Sequence, residues 1–164
     1  MTRTAQAPIR PFSEADRAAL VALLRDYEKG IGISLDFQSF GAELAALPGA
    51  YVPPDGALLI ARSEADDLVG TVALRGLDRA EGICEMKRLY VAPAGRGQGL
   101  GRRLAEAAIA EARSLGYRAM RLDTLPSMQD AQRLYEILGF REIAKYNGNP
   151  IDGTRFLEKD LTAP

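Results

Sequence analysis

Gly95-Arg96-Gly97-Gln98-Gly99-Leu100-Gly101 places four glycines within seven positions, between a strand-like run and an amphipathic helix. Glycine lets the backbone approach a ligand closely and adopt conformations that a Cβ forbids. The first-turn N–H groups of the helix lack intrahelical partners, and with the positive end of the helix dipole they favour phosphate. Arg96, Arg102 and Arg103 add charge beside them. A Walker A loop needs Gly-Lys-Ser/Thr, whereas Arg102-Arg103 follows Gly101. A dinucleotide fingerprint read from Gly97 and Gly99 ends on Arg102, so that frame fails too, although Asp123 lies near the distance of a ribose-binding acid. The remaining readings are another phosphate ligand or a plain strand-to-helix turn.

On either side of this run the chain alternates strand and helix patterns without repeats or linkers. Residues 9–12 read as a first strand, and Ser13 as the N-cap of a helix with Leu20, Leu23, Leu24 and Tyr27 on one face. Leu35, Phe37, Phe40, Leu44 and Leu47 suggest a second helix, interrupted by several Gly and Pro. Residues 57–61, 68–77 and 84–91 read as strands. Leu100, Leu104, Ala107, Ala108 and Leu115 form a helical stripe stopped by Gly116, and residues 118–124 alternate as a strand. Ala131, Leu134, Tyr135 and Leu138 predict a last helix closed by Gly139, followed by a strand pair over 140–146 and 154–161.

The chain has 164 residues, 47% apolar and 26% charged, which suits one domain over 1–164 with a sizeable core. It has no histidine and one cysteine, Cys84. Ser-His-Asp and Cys-His nucleophile systems are excluded, and no metal site is expected, because His-ligated zinc and thiolate clusters cannot be built. Acid–base chemistry must use Asp, Glu, Tyr, Lys, the thiol or water. Net charge is −1, yet residues 85–121 carry eight basic side chains against three acidic ones, which suits one local anionic ligand and no nucleic acid partner. No signal-like or membrane-spanning run occurs, so a cytoplasmic setting is expected.

Three segments carry a family resemblance. Arg96-Gly97-Gln98-Gly99-Leu100-Gly101 resembles the R/Q-x-x-G-x-G/A signature of the GNAT (Gcn5-related) N-acetyltransferases. Residues 85–91 resemble that family's fourth strand, and residues 131–140 its A-x-x-L-Y-x-x-x-G-F element. The resemblance implies an α/β (α+β) GNAT fold. Its sheet is mixed and mostly antiparallel, with six to seven strands flanked by about four helices. A cleft for acetyl-CoA opens between splayed fourth and fifth strands. It further implies that backbone groups of Leu89 and Val91, with Tyr90 between them, meet the thioester and pantetheine. Amides from Arg96, Gly97, Gln98, Gly99, Leu100 and Gly101, with Arg102 beside them, would hold the pyrophosphate. Many relatives keep an asparagine after the fifth strand; here Thr124-Leu125-Pro126-Ser127 stands there, so that contact passes to Ser127 or is absent.

The implied activity is transfer of the acetyl group to a primary amine by direct attack in a ternary complex. The other expectation is a non-catalytic acyl-CoA sensor of the same fold. Glu85 lies eleven positions before Arg96, the offset at which histone-type relatives keep a glutamate base; alternatively it is a strand glutamate paired with Lys87 or Arg88. Tyr135 matches a tyrosine near the coenzyme sulfur and suits a general acid, since a phenol with pKa of about 10 is protonated at neutral pH. It also lies on the apolar stripe of its helix. The acceptor, a small-molecule amine or a protein amine, would meet the stretch from Tyr27 to Phe40 and the segment 146–150, where aromatics beside Asp36 and Glu43 could take a cation. A homodimer is compatible with this reading, and no membrane partner is expected.

Overall fold

The computed structural model describes residues 7–32, 34–35 and 39–163. Strands β1 (Ile9–Pro11), β2 (Ala57–Arg62), β3 (Leu68–Asp78), β4 (Ile83–Val91), β5 (Ala119–Thr124), β6 (Arg141–Glu142) and β7 (Arg155–Asp160) form one sheet in the order β1-β2-β3-β4-β5-β7-β6. Helices α1 (Arg17–Ile31) and α2 (Phe40–Ala46) are followed along the chain by α3 (Leu100–Ser114) and α4 (Gln129–Ile137). Every neighbouring strand pair is antiparallel except β4–β5. The mixed seven-stranded sheet with four helices is the α/β architecture expected from the sequence.

Strand alternation divides the core into two layers. On one face α1 buries Leu20, Leu23, Leu24 and Tyr27 against Leu58, Ile60 and Ala73, with Phe40 and Leu44 of α2 closing the layer. On the other, α3 buries Leu104, Ala105, Ala108 and Ala112 against Leu59, Val72, Leu74 and Met120, with Tyr135 of α4 alongside. The sheet is covered on both sides, which is why β2 and the first half of β3 read as continuous apolar runs. Ser13 donates through its N–H and hydroxyl to Asp16, and Arg10 and Arg62 grip the same carboxylate, tying β1 and β2 to the entry of α1.

Two expectations are corrected. The second helix spans only Phe40–Ala46, and Leu35 lies outside it, while Phe37 is outside the described residues. The expected strand over 140–146 shrinks to Arg141–Glu142. Beyond it the Asn-Gly-Asn-Pro run makes its own local bonds: Asn149 N–H donates to Asn147 Oδ1, and Ile151 N–H to Asn149 Oδ1. Such side chain-to-backbone bonds compete with a strand ladder.

The feature that shapes the site is in the middle of the sheet. β4 and β5 pair in parallel only through Ile83–Glu85 and Ala119–Arg121, and then separate. On its other edge β4 carries a bulge: Thr71 faces Tyr90 and Ala73 faces Lys87, so Val72 alone opposes Arg88 and Leu89. Arg88 sits at φ 58°, the left-handed region, which costs a non-glycine residue about 1–3 kcal/mol. A bulge bends the strand that carries it, and here the bent half is the half that has left β5. The surroundings hold Arg88 in place. Its guanidinium makes two bonds to Glu43 at 2.8 and 2.9 Å and lies over the Phe40 ring.

Candidate active site

The glycine run leaves β4 through a 3-10 turn at Pro93–Gly95 and enters α3 at Leu100. Gly97 and Gly99 take φ of 83° and 72°, and among the described residues a Cβ at either position would meet nothing within 4 Å beyond its own chain neighbours. Their small size therefore serves the open space in front of the loop, beyond the turn itself. Among the described residues, the backbone N–H groups from Gly97 to Arg102 have no acceptor inside the protein; the first helical bond is Arg103 N–H to Gly99 O. Six consecutive unpaired amides at a helix N-terminus form a concavity suited to a phosphate-bearing ligand.

These amides border a cleft of about 550 Å³ that runs along the separated strands. Leu89, Tyr90 and Val91 form one wall, Ser127, Ala131 and Leu134 the opposite wall, and Tyr27 and Gly30 of α1 an edge. Tyr27 packs on Tyr90 at 5.4 Å between ring centroids. At the inner end the cleft shares Tyr27, Leu89 and Met128 with a second cavity in the opening between β4 and β5. That cavity is lined by Lys87, Asp123, Thr124, Tyr135 and Asn149, among others.

The sequence model of the Acetyltransferase (GNAT) family matches residues 18–140. The chain belongs to this family. It is 39% identical over 140 residues to an uncharacterized N-acetyltransferase of Schizosaccharomyces pombe, covering 85% of each chain. In fold it is similar to a GNAT-family acetyltransferase from Staphylococcus aureus, with TM-score 0.81 and 23% identity over 94% of this chain and 98% of that one. It is also similar to a Salmonella typhimurium structure holding acetyl-CoA as its cofactor, with TM-score 0.70 and 23% identity over 96% and 95%.

Within this GNAT chain the cleft brings together Leu89, Tyr90, Val91, Arg96, Gly97, Gly99, Leu100, Gly101 and Ser127 of the sequence-expected set. Gln98 and Arg102 contribute amides to the loop but do not line the cleft, and the Arg102 side chain turns along α3 to Glu106 at 2.9 Å. Arg96 donates to Val91 O at 3.0 Å and lies over the Tyr90 ring. The loop's residues thus fit a pyrophosphate chiefly through backbone N–H groups.

Tyr135 is buried, and its ring packs edge-on to Phe140. Its hydroxyl faces the inner cavity with no hydrogen bond among the described residues. Burial pushes the phenol above its ordinary pKa, so it holds its proton at every physiological pH. Glu85 is placed differently. It is 1% exposed and does not line the cavity. Arg75 holds its Oε1 at 2.9 and 3.0 Å, and the Tyr146 hydroxyl donates to Oε2 at 2.5 Å. Cys84 is a core residue whose thiol burial pushes up to about 12, which removes thiolate chemistry at neutral pH. Glu43 is committed to Arg88 and Tyr51 and is no free cation receptor; Asp36 lies outside the described residues.

Sequence reasoning passed over Lys87, Asp123 and Thr124 as site residues. Strand parity was the available signal for the two charged ones. Lys87 and Asp123 alternate with the core residues Met86 and Leu122, so both leave the α3 face of the sheet. Burial pulls the Lys87 ammonium below its ordinary pKa, with Glu85 opposing that shift.

Proposed function

We propose that the protein is an acetyl-CoA-dependent N-acetyltransferase acting on a primary amine in a ternary complex. The observation that carries this reading is the continuity of the site. An amide loop suited to pyrophosphate leads along separated strands to a tyrosine hydroxyl, both without hydrogen-bond partners among the described residues. Acetyl-CoA, when bound, supplies an activated acetyl thioester. The amide loop anchors its phosphates, and the free edges of β4 and β5 guide the pantetheine toward the inner cavity. The acceptor nitrogen attacks the thioester carbon, the N–C bond forms and the C–S bond breaks. An ammonium acceptor gives up two protons overall, one ending on the leaving sulfur and one in solvent. Tyr135 gives its proton to that sulfur and takes one back from the amine. Much of the rate comes from holding amine and thioester together, for which the cleft geometry suffices.

Glu85 enters this scheme at one remove. Its carboxylate meets the Tyr146 hydroxyl rather than the cavity, and Tyr146 does not line the cavity either, so a proton from the amine would reach this pair only through an intervening water. No structural feature favours the sensor reading. Thiol release from acetyl-CoA across a panel of amines tests the proposal: release with at least one amine supports it. Tight acetyl-CoA binding without release on any amine refutes it.

A further inference from the structure

The inner cavity carries three polar groups that the transfer chemistry above does not use. Lys87 is 9% exposed at its side chain, and its Nζ lies 3.8 Å from Glu85 Oε1, beyond hydrogen-bond distance. That oxygen already takes two bonds from Arg75. Asp123 Oδ2 accepts from Asn147 at 2.9 Å and Asn149 at 3.2 Å, whereas Oδ1 accepts nothing among the described residues. Thr124 is 2% exposed, and its Oγ1 is the one buried side-chain polar atom without a partner among the described residues. All three residues line the same cavity. A buried hydroxyl left unpaired is destabilising, so its retention in a cavity wall points to a ligand that pairs with it.

The neighbouring charges are spoken for. Arg88 is neutralised by Glu43, Arg75 by Glu85, and Arg121 by Glu158 at 2.7 Å. Among the described residues, what remains facing the cavity is one ammonium with spare donors and one carboxylate with a spare oxygen. A polyamine or a lysine side chain would bring positive charge against Lys87 and nothing for it to bind. We infer that the cavity takes the head group of a zwitterionic acceptor, an α-amino acid or close analogue, with Lys87 and Thr124 on its carboxylate and Asp123 on its amine. This rests on the acetyltransferase reading and names the acceptor class for it.

The test compares an α-amino acid with its amide, its decarboxylated amine and spermidine. It uses thiol release with acetyl-CoA and calorimetric titration into protein saturated with coenzyme A. The expected result is that amino acids bind and turn over at least tenfold better than the matched compounds lacking the carboxylate. Lys87→Met should raise the KM for the amino acid by roughly 10- to 100-fold, the worth of a charge-assisted bond, while the KM for acetyl-CoA stays put. Lys87→Arg should recover part of the loss. Thr124→Val should raise the same KM yet increase the Tm of the unliganded protein, because it deletes an unpaired buried hydroxyl. Equal use of the amide, the amine or spermidine overturns the inference, as does a Lys87→Met defect shared by all acceptors. Absence of thiol release with every compound refutes the acetyltransferase reading alone. The titration then decides the cavity by itself: amino-acid binding supports the inference and its absence overturns it.

Discussion

Tyr146 and Glu85, 61 positions apart in the chain, share a hydrogen bond of 2.5 Å in which the phenol donates to the carboxylate. The contact joins the irregular segment after β6 to the centre of β4. It also explains why Glu85, a buried carboxylate, is tolerated. Arg75 neutralises one oxygen and Tyr146 satisfies the other. Burial and the adjacent carboxylate both push the Tyr146 phenol above its ordinary pKa, so the proton rests on the tyrosine at neutral pH.

If the amine's proton travels through this pair, Glu85→Gln and Tyr146→Phe should alter kcat alike. Each should lower kcat by about 10²-fold and flatten the acidic limb of the pH–rate profile. Matched profiles for the two variants are the expected outcome. A Tyr146→Phe enzyme with wild-type kcat and an intact limb would remove Glu85 from the reaction and leave it a structural partner of Arg75.

Tyr135 offers a cleaner separation of chemistry from packing. Its hydroxyl has no partner among the described residues, so Tyr135→Phe keeps the ring contact with Phe140 and should leave the Tm within a degree or two. The kcat should fall by roughly 10²-fold with the KM for acetyl-CoA unchanged. An unchanged kcat would show that the leaving sulfur takes its proton from water.

Much of the fold was legible in advance because two periodicities were clean. Leu20, Leu23, Leu24 and Tyr27 fell on one helical face, and Met120 and Leu122 alternated with Arg121 and Asp123 along a strand. The glycine run was legible because its spacing has few uses. The bulge at Arg88–Leu89 was not, since nothing local marks an arginine for a left-handed φ. Its position is imposed by Glu43 and Phe40, 45 and 48 residues earlier in the chain. The inner cavity was hidden for a related reason. Lys87, Asp123 and Thr124 become a group only when β4 and β5 pair at one end and separate at the other. The segment 146–150 reads as an acceptor segment in the sequence, but its role as a partner of Asp123 depends on Asn side chains turning inward, which composition does not reveal.

The loop conformation makes a prediction that separates binding from folding. Gly99 lies at φ 72°, where an L-residue costs about 1–2 kcal/mol, yet among the described residues a Cβ there meets nothing beyond its chain neighbours. Gly99→Ala should therefore lower the Tm by only a few degrees, at roughly 2–4 °C per kcal/mol for a chain of this size. The methyl group would occupy the space in front of the unpaired amides. The KM for acetyl-CoA should rise tenfold or more with kcat at saturation largely kept. Calorimetry with coenzyme A checks the affinity change independently of turnover.

The Arg88–Glu43 pair governs acid stability. Burial raises the Glu43 carboxyl, but the bonds from Arg88 and Tyr51 outweigh it and leave the group below its ordinary value. Asp16, held first by Arg10 and then by Ser13 and Arg62 against the penalty of burial, is likewise depressed. A carboxyl depressed in the folded state adds stability that is complete above its unfolded pKa, near 4, and is lost as pH falls toward its folded value. The Tm should accordingly be flat from pH 7 to 5 and drop steeply below about pH 4. Glu43→Ala leaves the Arg88 guanidinium, 4% exposed, without a counter-charge among the described residues. At pH 7 that should cost about 3–5 kcal/mol. The gap between the two proteins should narrow as the pH is lowered to 3, because the wild type then loses the same charge by protonation. Thermal unfolding at four pH values reads both quantities, and a gap that stays constant would place the acid sensitivity elsewhere in the molecule.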